Sequence, residues 1–148
     1  MDDIDRKILT VLQKEFPVEA EPFRRVAERV GVTEDEVVER IARLRGDSII
    51  RRIGAVFDSR KLGFASTLCA ARVPAQKLEA FVRIVNSYAG VTHNYQRSHD
   101  YNVWFTFIAP TIADIEDALK EISVKTGVTD IINMPATRKF KIDARFDL

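Results

Sequence analysis

The second half of the chain alternates between strand-like and helix-like patterns, and this alternation constrains the fold more than any other feature of the sequence. Four stretches have the character of strands, at residues 65–73, 91–97, 101–109 and 128–142, the last interrupted by Pro135. Two stretches carry apolar residues at helical spacing, at residues 75–88 and 111–127. The order β-α-β-β-α-β predicts a ferredoxin-like α+β domain over residues 65–148, with both helices on one face of an antiparallel sheet.

The first 50 residues show a different, purely helical pattern. Apolar residues recur at helical spacing in three stretches, at residues 3–14, 22–30 and 34–45. A Gly-Val-Thr turn precedes the third stretch, where Thr33 and Glu36 have the spacing of a capping box. The pattern predicts a helix-turn-helix domain, winged-helix-like, over residues 1–50. Residues 51–64 would then be a connector and linker, with a strand at about 49–57.

One face of the predicted sheet carries both helices, so the opposite face needs a cover from outside the domain. Large apolar surfaces are seldom left exposed in soluble proteins. A second copy of the chain, or a homologous chain, is the simplest cover. We therefore expect the protein to assemble with a related subunit.

The composition limits the class of protein. The chain of 148 residues has one cysteine, Cys69, which excludes an internal disulfide framework and a multi-cysteine metal cluster. We expect Cys69 to be a small core residue. No apolar run is long enough to cross a bilayer, and the acidic N-terminus lacks the apolar core of a signal peptide. The sequence predicts a protein of the reducing cytoplasm with no membrane attachment.

Residues 90–107, with the sequence GVTHNYQRSHDYNVWFTF, concentrate polar and aromatic side chains in one predicted hairpin. Both histidines of the chain, His93 and His99, lie in it. Strand alternation predicts one set of side chains on each face: His93, Tyr95 and Arg97 on one, and Thr92, Asn94 and Gln96 on the other. The hairpin is either a binding site or an exposed edge whose polar side chains are merely solvated.

The chain resembles the Lrp/AsnC family of transcriptional regulators over nearly its whole length. The resemblance to the family's helix-turn-helix domain lies in DDIDRKILTVLQ and VAERVGVTEDEVVERIARLRGDSIIRRIGAVFD. The β-α-β-β-α-β half resembles its ligand domain. The chain is more similar still to one enzymatic branch of the family, the siroheme decarboxylases (the Ahb/Nir branch), and in particular to their alpha subunits. The closer resemblance lies in RRIGAVFDSRKLGF and GVTHNYQRSHDYNVWFT.

The resemblance implies a carboxy-lyase. The expected reaction removes CO2 from two acetate side chains of siroheme and gives 12,18-didecarboxysiroheme, in the alternative haem or the haem d1 pathway. The iron tetrapyrrole is the substrate, so no separate cofactor is expected. The resemblance also implies that the chain works in a complex with a paralogous subunit, as a heterodimer or a higher heteromer.

A DNA-binding regulator that senses a small ligand is the alternative function, and the residues argue against it. The recognition helix would meet the phosphates of DNA at its N-terminal part, which carries four carboxylates: Glu34, Asp35, Glu36 and Glu39. These residues also suit a helix N-terminus, where the dipole favours negative charge. The chain holds 9 Lys/Arg and 12 Asp/Glu up to Ile50, against 14 and 10 from Arg51 onward. We therefore expect no DNA binding.

Two residues of the hairpin are the candidates for catalysis, His93 and Tyr95. An imidazole can donate a proton near neutral pH, and it can also ligate iron, so His93 is a candidate proton donor or axial ligand to the substrate's iron. Tyr95 would assist it by a hydrogen bond or by stacking on a flat ring. The sequence predicts no resident metal site. A hydrogen-bonded histidine at a subunit interface is the alternative for His93.

Arginines and aromatic residues are the candidates for substrate binding. The planar fork of arginine can hold a carboxylate with two hydrogen bonds, which suits a macrocycle rimmed by acetates and propionates. The candidates are Arg51, Arg52, Arg97, His99, Tyr101, Trp104 and Arg138. Solvated surface is the alternative for the cations, core packing for Trp104, and a simple turn position for His99.

Overall fold

The computed structural model describes residues 1–141 and 146–148, which form two compact units. Met1–Val56 form the first unit together with the described residues of Lys141–Leu148, and Phe57–Phe140 form the second. Within these described ranges, no helix combines the length and the apolar character needed to cross a membrane. Each unit has its own hydrophobic core.

Three helices build the first unit, as predicted: α1 (Asp3–Lys14), α2 (Pro22–Val30) and α3 (Glu34–Gly46). Their apolar faces meet in a core that fully buries Ile8, Val26, Val37 and Leu44. The turn before α3 depends on Gly31, whose φ of 82° lies in the left-handed region that side chains rarely adopt. The helix-turn-helix prediction is therefore confirmed.

The capping of these helices differs from the prediction in one detail. At the start of α3 the hydroxyl of Thr33 accepts the N–H of Glu36 at 3.2 Å, but the Glu36 carboxylate binds Arg40 instead of returning to the cap. Only half of the predicted capping box therefore forms. A complete capping box lies at the N-terminus of α1. There the carboxylate of Asp2 accepts the backbone N–H of Asp5 at 2.8 Å, and the carboxylate of Asp5 accepts that of Asp2 at 3.0 Å.

The predicted strand at 49–57 is wrong. The backbone N–H groups of Ile49 and Ile50 donate to the carbonyl of Leu44 at 2.9 and 3.1 Å. These bonds wrap the chain around the end of α3, and Ile50 packs into the helical core. A strand needs a partner for its backbone groups, and every strand of the described chain pairs within the other unit.

The second unit has the predicted ferredoxin-like order. Its elements are β1 (Ala65–Ala71), a short 3₁₀ turn (Ala75–Lys77) leading into α4 (Leu78–Asn86), β2 (Val91–Gln96), β3 (Val103–Ala109), α5 (Ile112–Thr126) and β4 (Ile131–Pro135). The strands lie in the order β2-β3-β1-β4, and every neighbouring pair is antiparallel. The prediction of an α+β fold is confirmed.

Both helices pack on one face of this sheet and form the core of the unit. Phe81 of α4 and Ile115 of α5 are fully buried against Phe105 of β3. The rings of Phe81 and Phe105 meet edge to face, with centroids 6.3 Å apart. Cys69 lies in the same core, as predicted, and burial raises the pKa of its thiol to about 12.

The last strand is shorter than the predicted 128–142. β4 pairs with β1 only as far as Pro135, and the carbonyl of Ala136 then accepts a hydrogen bond from Arg60 at 3.0 Å. Because proline has no N–H to donate, the ladder ends there. Residue 142, the end of the predicted strand, lies outside the described residues.

Candidate functional site

The β2–β3 hairpin carries the candidate catalytic residues at the edge of the sheet, facing away from the helices. In the register His93 lies opposite Thr106, and Tyr95 lies opposite Trp104. Between them on β3, Phe105 points the other way and is buried under the helices. The alternation of the strand therefore places His93, Tyr95 and Trp104 on one open face.

Thr92 does not follow the predicted alternation. The register skips a residue between Val91 and His93, so β2 has a bulge at Thr92. The Oγ1 atom of Thr92 lies 2.7 Å from Oγ1 of Thr106 and 3.1 Å from Nδ1 of His93. Thr92 therefore shares the open face with His93, because the bulge brings two β2 residues opposite Thr106.

Aromatic rings and one arginine stack along this face. The rings of His93 and Tyr95 lie nearly parallel, at 25°, with centroids 6.1 Å apart. The guanidinium carbon of Arg97 is 5.9 Å from the ring centroid of Tyr95 and 5.8 Å from that of Trp104. These distances fit cation–π contacts, which hold the guanidinium while leaving its N–H groups free to donate.

The stacked residues border a cavity of about 700 Å³. It is lined by Leu68, His93, Tyr95, Arg97, Ser98, His99, Trp104 and Thr106. The lining is mainly aromatic and aliphatic, with imidazole, hydroxyl and guanidinium groups at defined positions. Such a site suits a flat, conjugated molecule with anionic substituents.

His99 and Tyr101 lie in the loop that joins the two strands, and they have different surroundings. His99 lines the cavity, and its Nδ1 accepts the backbone N–H of Tyr101 at 3.1 Å. The hydroxyl of Tyr101 donates to Asp130 at 2.8 Å, and this bond raises the pKa of Tyr101. Arg72 stacks on the Tyr101 ring at 5.2 Å and pairs with Asp130 at 3.3 Å. This cluster anchors the loop, and Tyr101 lies outside the cavity lining.

Trp104 is not a core residue, which was the alternative for it. Its ring lines the cavity on the open face, and its indole N–H donates to the carbonyl of Tyr101 at 2.7 Å. The hydrogen bond satisfies the polar edge of the indole and leaves the flat faces for contacts. The ring is therefore placed to support a planar ligand.

The other predicted arginines do not join this cavity lining. Arg138 follows β4, at the edge of the sheet opposite to β2, and its guanidinium carbon lies 5.0 Å from the ring of Phe140. Arg51 and Arg52 are exposed residues of the helical unit. Of the predicted arginines, Arg97 lines the cavity.

Sequence reasoning missed the residues whose positions depend on strand pairing. Thr92, Thr106 and Leu68 join the site only because of the bulge and the register. Arg72, directly after β1, and Asp130, directly before β4, anchor the loop. The local sequence around Thr92 gives no sign of a bulge, because the bulge is visible only in the register between β2 and β3. No signal in the sequence could therefore have predicted that the hydroxyls of Thr92 and Thr106 meet. In the described chain, no group of three or more His, Cys, Asp or Glu side chains is arranged to hold a metal ion.

Arg40 and Arg43 of the helical unit are bound by carboxylates of the same unit. Arg43 donates to both oxygens of the Asp5 carboxylate at 2.7 and 2.8 Å, and Arg40 donates to Asp5 at 2.9 Å and to Asp2 at 2.8 Å. Asp5 is only 1% exposed. Burial raises the pKa of Asp5, but the hydrogen bonds from Arg43, the Asp2 backbone and Arg40 outweigh it and leave that pKa well below its ordinary value.

Comparison with known families agrees with both units. A family described as the siroheme decarboxylase NirDL-like HTH domain matches residues 5–51, and the AsnC-like ligand binding domain matches residues 61–141. The fold and the matches define the class: a helix-turn-helix protein with an AsnC-like ligand-binding domain.

Similarity to curated proteins over the full length of the chain identifies its family within this class. The siroheme decarboxylase alpha subunit of Desulfovibrio desulfuricans is 49% identical over 146 residues, which covers 99% of this chain and 84% of that protein. The chain belongs to the siroheme decarboxylase family, and the resemblance to its alpha subunits is confirmed.

Two solved structures of this family have the same fold. The crystal structure of the siroheme decarboxylase NirDL matches with a TM-score of 0.72 and 38% identity, covering 99% of this chain and 48% of that chain. NirDL in co-complex with an iron-uroporphyrin III analogue matches with a TM-score of 0.71 and 36% identity, covering 98% and 48%. This chain therefore spans about half the length of the NirDL chain.

Proposed function

We propose that the protein is a subunit of siroheme decarboxylase, a carboxy-lyase that removes CO2 from two acetate side chains of siroheme to give 12,18-didecarboxysiroheme. The observation that carries the proposal is the cavity on the open face of the hairpin, where an imidazole, two aromatic rings and a stacked guanidinium converge. The family assignment supports the same substrate. The product would serve the alternative haem or the haem d1 pathway.

The chemistry needs few protein groups. In each decarboxylation the bond between the methylene carbon and the carboxylate breaks, CO2 leaves, and the electron pair stays on the methylene carbon, where the conjugated macrocycle delocalises it. A proton then converts the methylene to a methyl group. The balance requires one proton for each CO2 and no oxidant or reductant. The protein has to orient the acetate, exclude water and place the proton donor.

The cavity offers a residue for each of these tasks. His93 is the proposed proton donor, or the axial ligand of the substrate's iron, and Tyr95 assists it from the adjacent stacked position. Trp104 would support the macrocycle, and Arg97 would hold an acetate or propionate through its N–H groups. His99 would contact the substrate's rim from the loop.

The remaining substrate-binding candidates do not line this cavity, and we still propose a role for each of them. Tyr101 would act indirectly, by anchoring the loop that carries His99 through its bond to Asp130. Arg51, Arg52 and Arg138 remain proposed carboxylate clamps, each to be tested by substitution. The substrate brings its own iron, so we propose no further cofactor.

A paralogous subunit is the proposed partner. The open face of the sheet exposes apolar side chains on neighbouring strands: Leu68 of β1 is 39% exposed and Ile132 of β4 is 37% exposed. A homologous sheet would cover such a surface and close the cavity from above. A heterodimer or higher heteromer in the cytoplasm is the arrangement we propose.

The test is reconstitution of the reaction. The chain would be co-expressed and purified with its paralogous subunit, supplied with siroheme under anaerobic conditions, and the tetrapyrrole masses followed with time. We expect losses of one and then two CO2 units. A complex that binds siroheme and returns it unchanged would make the protein a tetrapyrrole carrier and overturn the decarboxylase proposal.

A DNA-binding regulator is the second candidate, because the first unit has a helix-turn-helix fold. The ion pairs of Asp5 argue against it, since they occupy Arg40 and Arg43, which a DNA-binding α3 would direct to phosphates. We expect no shift of a promoter fragment at low salt. A shift that weakens steeply with added salt would favour the regulator instead.

A further inference from the structure

The bulge of β2 creates a small hydroxyl cluster behind His93. Because Thr92 is the extra residue, both Thr92 and His93 lie opposite Thr106. The two hydroxyl oxygens are 2.7 Å apart, and Nδ1 of His93 lies 3.1 Å from Thr92 Oγ1 and 3.4 Å from Thr106 Oγ1. A regular strand would have directed Thr92 to the opposite face, so the bulge is what assembles the cluster.

The position of the bulge is set by Gly90. A Cβ at Gly90 would collide with the carbonyl oxygen of Ile108 and come within 2.6 Å of the Phe107 ring. The N–H of Ile108 donates to the carbonyl of Gly90 at 2.8 Å. This close approach fixes the start of β2 against the end of β3, two residues before Thr92.

The cluster determines which ring nitrogen of His93 is available. Nδ1 faces the two hydroxyls, whereas Nε2 has no hydrogen-bond partner among the described residues, and the ring lines the cavity. Both proposed roles of His93 use Nε2 and keep a proton on Nδ1. An imidazolium that gives up its Nε2 proton retains Nδ1–H, and a ring that ligates iron through Nε2 also carries its proton on Nδ1.

We propose that Thr92 and Thr106 are positioning residues whose paired hydroxyls accept the Nδ1–H of His93 and thereby present Nε2 to the cavity. The Thr92 hydroxyl oxygen accepts a hydrogen bond from Nδ1–H, and the Thr92 hydroxyl donates its own hydrogen bond to Oγ1 of Thr106. The hydroxyl of Thr106, which itself lines the cavity, then has its proton available for a substrate oxygen. The inference rests on the proposed function, because it specifies Nε2 as the atom through which His93 would act in the decarboxylation.

The first test reads the ring directly and needs no activity. The full-length chain would be labelled with ¹⁵N-histidine, assembled with its unlabelled paralogous subunit, and studied without siroheme at a pH where the rings are neutral. The chain has two histidines, so a His99→Gln variant assigns both ring systems. We expect Nδ1 of His93 to be the protonated nitrogen. A wild-type spectrum with the proton on Nε2 would overturn the proposal.

The substitutions separate positioning from packing. Thr92→Val with Thr106→Val keeps the shape of both side chains and removes both hydroxyls, so we expect the Nδ1 proton to redistribute toward Nε2. Thr92→Ser with Thr106→Ser restores the hydroxyls and should restore the wild-type spectrum. Ser66→Ala, which removes a hydroxyl from a different strand of the sheet, β1, is the matched control and should change nothing. Identical spectra for the valine and wild-type proteins would overturn the proposal.

Kinetic measurements are the second test, and they separate the positioning role of the two threonines from the decarboxylase function itself. We expect the valine pair to lower kcat about tenfold, with KM within about twofold, and the serine pair to recover most of the rate. If the wild type is active and the valine pair changes neither its rate nor the tautomer of His93, the positioning role alone is overturned. A wild type with the expected tautomer but no CO2 release overturns the decarboxylase proposal and leaves the hydroxyl cluster in place.

Discussion

The arginines of the two units have opposite surroundings. In the helical unit Arg40 and Arg43 converge on the carboxylate of Asp5, which is almost completely buried. In the sheet unit Arg97 lies against Tyr95 and Trp104, and no carboxylate pairs with it in the part of the chain that the structure describes. The first arrangement uses charge to hold helices together, whereas the second keeps hydrogen-bond donors available for a ligand.

The two arrangements place the residues that stabilise the fold in the helical unit and the residues that contact the ligand in the sheet unit. A satisfied ion-pair network is costly to break from one side, because the remaining charges lose their partners. Exposed residues held by stacking contribute little to folding, and their substitution should affect the ligand instead. Substitutions in the helical unit should therefore change unfolding, and substitutions in the hairpin should change catalysis.

The largest expected effect is that of His93→Ala on catalysis. Loss of the proton donor should lower the decarboxylation rate by about 100-fold or more. Because the side chain is exposed, the midpoint of urea unfolding should not change. Anaerobic rate measurements with the assembled complex, paired with denaturation curves, check both parts. An undiminished rate would remove His93 from the mechanism, and a large loss of stability would erase the contrast between the units.

Asp5→Asn should give the converse result. Asparagine keeps one acceptor oxygen but carries no negative charge, and its NH2 group puts a donor where Arg43 needs an acceptor. We therefore expect a loss of about 2 kcal/mol in the free energy of unfolding, below the value for a fully buried ion pair because Arg43 is half exposed. Catalysis by the folded protein should stay within about twofold of wild type. Asp3→Asn in the same helical turn is the matched control. Equal stability of both variants would contradict the role given to Asp5.

Arg97→Lys tests the other side of the comparison. Lysine keeps the charge but loses the planar fork and much of the stacking on Tyr95 and Trp104, so the Kd for siroheme should rise about tenfold. Spectroscopic titration of the complex with siroheme measures it. Arg83→Lys, on the exposed side of α4, is the control and should bind like wild type. Unaltered affinity of the Arg97 variant would mean that this guanidinium does not hold the substrate.

The smallest expected effect is the pH dependence of stability that Asp5 produces. Its pKa is lower in the folded protein than the ordinary value of 3.8, so its stabilising contribution is present above that value and is lost as the pH falls toward the folded pKa. The difference in unfolding free energy between wild type and Asp5→Asn should therefore shrink as the pH falls from about 5 to about 3. A difference that grows on acidification would contradict the direction of this shift.

The sequence predicted the fold because periodicity and turn residues agree along the chain. The three N-terminal helices and the order of the second unit follow from apolar spacing, Gly31 and the cap at Thr33. The prediction of a strand at 49–57 failed because pairing partners are not encoded locally.

The candidate site was predicted in part for the same reason. Alternation alone put His93, Tyr95 and Arg97 on one face, and the structure places all three at the cavity. Alternation put Thr92 on the wrong face, because a bulge depends on the register between β2 and β3. The anchoring of Tyr101 by Asp130 joins residues 29 positions apart, which no local pattern reveals.

Whether the hairpin cavity holds siroheme is decided by a structure of the assembled complex with siroheme bound anaerobically. We predict the macrocycle in contact with Tyr95 and Trp104, with a carboxylate about 3 Å from the guanidinium of Arg97 and Nε2 of His93 facing the ring. Siroheme bound elsewhere on the complex, with the cavity beside His93 vacant, would show that the hairpin is not the substrate site.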